Sequence, residues 1–296
     1  MRIAQQLYEG VDVKGQGTTG LVTYIRTDSV RISDVAREAA KNMILNDYGP
    51  QYLGTNVYTN KKKDVQDAHE AIRPSNPELK PDDIKESLSK DQYNLYRLIW
   101  CRFTASQMSH AVFDAVSADI VNNGYLFRAT GSKLKFDGYL AVYNNTSEDE
   151  KNKMLPPLEK GEELKLLDLK GEQHFTQPPS RYTEASLVKD LEEKNIGRPS
   201  TYAPIVGTLT DRKYVTREKK MLVPTELGLL VTELMETYFK DIVDVGFTAE
   251  MEDRLDDVEV KNTDWHTVIS DFYSGFEKDL KTADESIEKL VIEDEP

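Results

Sequence analysis

Gly20-Leu21-Val22-Thr23-Tyr24-Ile25-Arg26-Thr27-Asp28-Ser29 is the stretch on which the organisation of this chain turns. Its centre, Leu21 to Thr27, is rich in β-branched and aromatic residues and reads as a strand that Asp28 and Ser29 end. Residues i and i+2 of a strand share a face, so the Tyr24 phenol and the Arg26 guanidinium are expected to project together. Arginine offers a planar, permanently charged fork that suits phosphate. A tyrosine hydroxyl titrates near pH 10 and is a poor nucleophile unaided. A neighbouring cation favours the phenolate and steadies the charge on a phosphate under attack. Ordinary packing also fits the pair, since the chain has 15 tyrosines and a tyrosine on a half-buried strand commonly packs.

On the N-terminal side, Met1 to Gly10 reads as a short helix with Ala4, Leu7 and Tyr8 apolar, followed by a segment holding Gly15, Gly17 and Gly20. On the C-terminal side, Ser33 is an N-cap for a helix that sets Ala36, Ala39, Ala40, Met43 and Ile44 on one face, and Gly49-Pro50 stops it. A helix near 91–107 carries Leu95, Ile99, Trp100 and Phe103 at helical spacing. Residues 1–109 therefore form a mostly helical domain. The texture changes at Ala111. Val112, Asp114, Val116, Ala118 and Ile120 share a strand face, and Asn123-Gly124 is a two-residue hairpin signal. Further runs at Tyr125–Thr130, Lys133–Tyr143 and Glu163–Leu169 make 110–182 an antiparallel β region. Helices return at Thr183, with Ala185, Leu187, Val188 and Leu191 on one face. A second helix runs from about Ser200 to Arg212, and a hairpin spans 214–223 with Lys219-Lys220 at its tip. Two more helical faces hold Leu227, Leu230, Leu234 and Tyr238, then Trp265, Ile269, Phe272, Phe276 and Leu280. The fold class is multidomain α+β, with domains at 1–109, 110–182 and 183–296.

The chain has 296 residues, 39% hydrophobic and 30% charged, an ordinary globular balance with room for two or three domains. The single cysteine, Cys101, excludes an internal disulfide framework and any multi-cysteine zinc site. A reducing cytoplasm fits that usage. No apolar run reaches the roughly 18 residues that span a bilayer. The net charge is −14, yet residues 251–296 alone hold 15 Asp+Glu against 5 Lys+Arg. The remainder is near balance, which leaves room for one locally basic groove.

Two further stretches carry chemistry. In Asp67-Ala68-His69-Glu70, His69 suits either phosphate contact or a polar helix position with no task. In Gly197-Arg198-Pro199-Ser200-Thr201-Tyr202 a helix begins, capped by Ser200 or Thr201. Its first-turn N–H groups and Arg198 suit phosphate, or form an ordinary capped start with an exposed arginine. The two helices and hairpin over 184–223 resemble a winged helix-turn-helix. No phosphate-cradling Gly-x-x-x-x-Gly-Lys-Ser/Thr loop occurs, and no two histidines have metal-ligand spacing.

Taken in order, these motifs resemble those of bacterial type IA DNA topoisomerases. Gly20 to Ser29 is similar to the family's active-site tyrosine motif. Gln66-Asp-Ala-His69-Glu-Ala-Ile-Arg-Pro-Ser75 is similar to a second signature. Arg181-Tyr-Thr-Glu-Ala-Ser-Leu-Val and Ile196-Gly-Arg-Pro-Ser-Thr-Tyr-Ala203 are similar to a third. The resemblance covers nearly the whole chain and implies part of a toroidal enzyme. Residues 1–109 would carry the nucleophile, 110–182 would belong to the β arch, and 183–296 would line a single-strand groove. It implies that Tyr24 attacks a DNA phosphodiester and keeps the 5′ phosphate while Arg26 holds that phosphate. His69, Gly197, Arg198, Ser200 and Thr201 would contact the DNA.

The family's metal-binding toprim domain, with its Mg²⁺ cluster, and its C-terminal zinc modules resemble nothing here. The chain therefore reads as a fragment, inactive alone and holding no metal. The implied partners are single-stranded and negatively supercoiled DNA, with no membrane, for a monomer at the bacterial nucleoid that needs no ATP. A non-enzymatic winged-helix DNA-binding protein is the competing reading. It explains 184–223 but leaves Tyr24, Arg26 and His69 idle.

Overall fold

The computed structural model describes residues 1–58, 69–144, 155–261 and 263–287. The chain separates into two compact units, Met1–Glu172 and Gln173–Pro296.

The first unit opens with helix α1 (Arg2–Glu9) and an antiparallel hairpin of β1 (Val11–Val13) and β2 (Gly17–Thr19). Gly15 in the turn of this hairpin and Gly17 at the start of β2 sit at φ 83° and 73°, where a side chain would be strained. Helix α2 (Asp34–Asp47) starts as expected, with the Ser33 hydroxyl accepting from the Ala36 N–H and Ala36, Ala40, Met43 and Ile44 buried. Helix α3 (Lys90–Gln107) begins on a reciprocal Ser89–Gln92 capping box. Leu7, Val13, Leu21, Val22, Ile25, Met43, Ile44, Tyr96 and Trp100 share one core. Two aromatics of α3 also anchor the chain that precedes it: Tyr96 Oη donates to the Leu79 carbonyl at 2.7 Å and Trp100 Nε1 to the Pro77 carbonyl at 2.8 Å. A ring with one polar atom thus packs and ties at once.

After α3 comes a long hairpin of β3 (Val112–Asn122) and β4 (Tyr125–Phe136). It turns at Asn123-Gly124, both at positive φ as such a turn demands. Asp119 and Arg128 sit opposite one another and pair through two bonds, 2.6 and 2.9 Å. Two expectations fail here. The runs 125–130 and 133–143 are one strand followed by a short 3-10 turn, Gly138–Ala141. Glu163–Leu169 forms no strand, and residues 155–182 carry no regular structure. A strand needs a partner for its backbone groups, and among the described residues none reaches this stretch. Its Leu166 and Leu167 stay exposed, as do Val116 and Val121 on the hairpin, because a two-stranded ribbon buries neither face by itself.

The second unit contains α4 (Glu184–Glu193), α5 (Tyr202–Asp211), the hairpin β5 (Val215–Glu218)–β6 (Met221–Pro224), then α6 (Glu226–Tyr238), α7 (Val245–Lys261) and α8 (Trp265–Ser286). Thr183 caps α4 in a reciprocal box with Ser186. Lys219, at φ 59°, makes the tip of the hairpin. Thr225 caps α6 and also donates to the Lys213 carbonyl at 2.6 Å, locking helix to hairpin. Phe239, Phe272 and Phe276 form a ring ladder between α6 and α8.

Candidate active site

Leu21–Thr27 is not a strand, contrary to the sequence expectation. Only Val22 bridges, to Pro74, and the chain bends at Ile25 and Arg26. A regular ladder needs an extended partner, whereas the partner here is the 71–75 segment with a proline in it. Proline lacks the N–H that a ladder requires. What holds the segment is a compact lattice. The Thr23 N–H donates to the Arg73 carbonyl at 2.9 Å, and the Ser75 N–H to the Leu21 carbonyl at 2.9 Å. Thr23 Oγ1 donates to the Ala71 carbonyl at 2.8 Å and accepts from the Arg73 N–H at 2.9 Å. Leu21, Val22 and Ile25 turn inward, so Tyr24 and Arg26 are left outside, Tyr24 at 39% exposure.

The Tyr24 ring has two aromatic neighbours. Tyr8, at the end of α1, meets it edge-on with centroids 5.5 Å apart, and His69 lies tilted at 5.3 Å. The structure thus brings together two residues singled out separately, Tyr24 and His69, and adds Tyr8, which sequence reading had counted only as a helix packing residue. Gly20 enables the approach of Tyr8: the Leu21 N–H bonds the Leu7 carbonyl at 2.8 Å, and a Cβ on Gly20 would lie 2.7 Å from the Tyr8 carbonyl oxygen. Arg26 is exposed and makes no hydrogen bond or ion pair among the described residues. It is therefore open to an anion from outside.

Beneath this surface Glu70 Oε2 accepts from Arg73 Nε at 2.7 Å, with the two side chains only 21% and 12% exposed. Burial works to raise the Glu70 carboxyl. The hydrogen bond and charge of Arg73, helped by Ser33, outweigh it and hold Glu70 below the ordinary glutamate range. Arg73 Nη1 also donates to the Pro74 carbonyl at 2.9 Å. The pair stiffens the 70–74 strip on which Thr23 hangs. Gln66 and Asp67 of the same motif lie outside the described residues.

Gly197, Arg198, Ser200 and Thr201 lie together in the second unit, in the turn before α5. Gly197 sits at φ 76°, and a Cβ there would lie 3.0 Å from Thr201 Oγ1, so the turn requires glycine. Neither Ser200 nor Thr201 caps the helix by its side chain, contrary to expectation. Thr201 has φ −106° and ψ −19°, near-helical rather than the extended shape from which a capping hydroxyl reaches forward. Its hydroxyl turns back instead, accepting from the Arg198 N–H at 2.8 Å and donating to the Arg198 carbonyl at 3.1 Å. Ser200 is exposed.

The Arg198 guanidinium is not an open cation. Nη2 meets Asp256 at 2.6 Å and Nη1 meets Glu252 at 3.5 Å, both on α7. Partial burial works to lower its pKa, and the two carboxylates more than offset that, leaving it raised. Glu252 and Asp256 of α7 thus hold a cation. Sequence offered no signal for this, because a turn and a helix more than fifty residues apart meet only through the fold. Among the described residues no three His, Cys, Asp or Glu side chains gather where a metal ion would sit. No described helix is long and apolar enough to cross a membrane.

Residues 1–270 match the family model for DNA topoisomerase, and the chain belongs to that family, in its bacterial type IA branch. Topoisomerase I from Thermotoga maritima, solved at full length, is similar at 40% identity and a TM-score of 0.80. The likeness covers 94% of this chain and 45% of that one, so the chain spans less than half the length of that relative. The mixed α+β class read from the sequence agrees with this match.

Proposed function

We propose that this chain carries the strand-cutting tyrosine and part of the strand-binding surface of a type IA DNA topoisomerase, an isomerase that relaxes negative supercoils. The observation that carries the reading is Tyr24 itself. It is exposed, set between Tyr8 and His69, and fixed on a segment pinned through Thr23, with an uncommitted Arg26 two residues on. A tyrosine in such a place is accessible to a phosphodiester and is held at the correct site before the strand arrives.

In this reading Tyr24 Oη attacks a backbone phosphorus. The P–O3′ bond breaks as the P–O bond to tyrosine forms. The phenolic proton is lost and the departing 3′ oxygen takes one up. The strand is left with a 5′ phosphotyrosine and a free 3′ hydroxyl, and religation is the reverse. One phosphoester replaces another, so the reaction is near balance and needs no ATP. Arg26 holds the non-bridging oxygens as charge builds on them, and His69 contacts the strand beside Tyr24. Arg198, Ser200 and Thr201 grip the backbone elsewhere on the strand, on the turn that Gly197 permits. Residues 1–109, 110–182 and 183–296 serve as nucleophile domain, arch and groove domain. Mg²⁺ belongs to chemistry supplied by another domain. The described side chains form no site that fits it. The whole enzyme acts as a monomer on single-stranded and supercoiled DNA at the bacterial nucleoid. The winged-helix alternative is not favoured, because the family match runs through the Tyr24 and His69 motifs as well.

The test is complementation. The purified chain is mixed with a family N-terminal domain and a single-stranded oligonucleotide labelled at its 3′ end. A labelled protein adduct should form, map to Tyr24 and vanish in Tyr24→Phe. The chain alone should not relax plasmid. An adduct at another residue, or one persisting in Tyr24→Phe, defeats the assignment.

A further inference from the structure

Arg31 stands in the loop between the Tyr24 segment and α2. Side chains order that loop from within: the Ser29 N–H donates to Thr27 Oγ1 at 3.0 Å, and the Arg31 N–H to Ser29 Oγ at 3.2 Å. The Arg31 carbonyl accepts from the Ala71 N–H at 2.8 Å. Ala71 is the residue whose own carbonyl takes the Thr23 hydroxyl. One residue therefore joins Arg31 to the neighbour of Tyr24, and it lies two positions from His69.

The side chain is anomalous. Arg31 is partly buried, and its Nε is sealed from solvent without any hydrogen-bond partner. Among the described residues its guanidinium makes no ion pair. Glu70, the carboxylate of the same wall, is already taken by Arg73 and by the Ser33 N–H at 3.4 Å. Asp34 pairs with Arg37 at 3.4 Å. A cationic donor held out of water without an acceptor is costly and is rarely retained without a partner. In a chain with far more Asp and Glu than Lys and Arg, no carboxylate among the described residues pairs with Arg31.

We propose that Arg31 is a phosphate-binding residue of the Tyr24 wall, receiving the oxygens of a backbone phosphate of the bound single strand other than the one Tyr24 attacks. The inference rests on the strand-binding reading above. Arginine is the residue type for this, since its fork meets two oxygens of one phosphate. A loop ordered beforehand loses little freedom when the phosphate arrives.

The experiment compares the chain with Arg31→Met, which keeps the apolar stem, and Arg31→Lys, which keeps the charge. Binding of a fluorescein-labelled oligo(dT) is followed by anisotropy from about 50 to about 200 mM salt, alongside thermal unfolding. Arg31→Met should bind about tenfold more weakly at low salt, with the slope of log K against log salt reduced by about 0.7. Arg31→Lys should recover part of both. Arg31→Met should melt no lower than the parent, because it removes an unpartnered buried donor. Unchanged affinity and slope in Arg31→Met, with the parent binding normally, overturns the role of Arg31 and leaves the strand reading standing. So does a loss of binding that comes with a lower melting temperature and no recovery in Arg31→Lys, which marks a structural prop. A parent that binds no oligonucleotide at low salt defeats the strand reading, and Arg31 with it.

Discussion

Removing the Glu70 carboxylate should loosen the surface that carries Tyr24, and the size of the effect follows from two contacts. Arg73 Nε donates to Glu70 Oε2 at 2.7 Å with both side chains largely covered, a charge-assisted bond worth about 1.5–3 kcal/mol. The Ser33 N–H at 3.4 Å adds a few tenths. In Glu70→Ala the Arg73 guanidinium keeps only the Pro74 carbonyl, so the loss should be about 2–3 kcal/mol. For a unit of this size about 2–4 °C of melting temperature accompanies each kcal/mol, giving a drop of roughly 5–10 °C for the first unit by calorimetry. Amide exchange at Thr23, whose N–H bonds the Arg73 carbonyl, should quicken with it. The pH dependence has a definite sign. The folded Glu70 carboxyl lies below its unfolded value of about 4.3, so its contribution is complete above that pH and is lost as pH falls through the lower folded value. The gap between parent and Glu70→Gln should therefore be full at pH 7 and shrink as the pH falls below the unfolded value. Equal melting at pH 7, or a gap that stays the same in acid, would refute the account of this pair.

Gly228→Ala should destabilise the second unit by about 2–3 kcal/mol in thermal unfolding, because its Cβ would run into the Tyr214 carbonyl on the backbone. Gly275→Ala, in α8 with nothing near its Cβ, should instead raise stability by about 0.5–1 kcal/mol; similar losses at both would mean α6 does not press on Tyr214. Asp256→Asn should tighten single-strand binding about threefold at low salt by releasing Arg198 from its closer carboxylate. Asp253→Asn, exposed on the same helix, serves as the control for bulk charge, and an equal gain there would show that Arg198 plays no local part.

The local features of the fold were readable where one short stretch supplies both partners. Ser33 caps its helix because hydroxyl and amide lie three residues apart. Asn123-Gly124 turns the long hairpin because those two residues tolerate positive φ. Expectations failed where the partner is distant or missing. Leu21–Thr27 has the composition of a strand, but its neighbour is a proline-bearing strip fifty residues on that accepts one bridge and otherwise binds through Thr23. Glu163–Leu169 mixes leucine with charged residues and has no partner among the described residues, so it stays irregular. Thr201 is the right residue for a cap and adopts the wrong backbone for it.

For the candidate site the division is similar. The residue types and their order, Tyr24 and Arg26, then His69, then Gly197 to Thr201, were present in the linear chain, since side-chain chemistry belongs to each residue alone. That Tyr24 is exposed, that Tyr8 and His69 flank it, that Arg198 is held by Glu252 and Asp256, and that Arg31 is covered without a partner were decided only by tertiary structure. Burial and pairing are properties of what surrounds a group. Those surroundings come from segments remote in sequence, brought together when the core closes around Leu7, Leu21 and Ile44 and when α7 reaches the turn before α5.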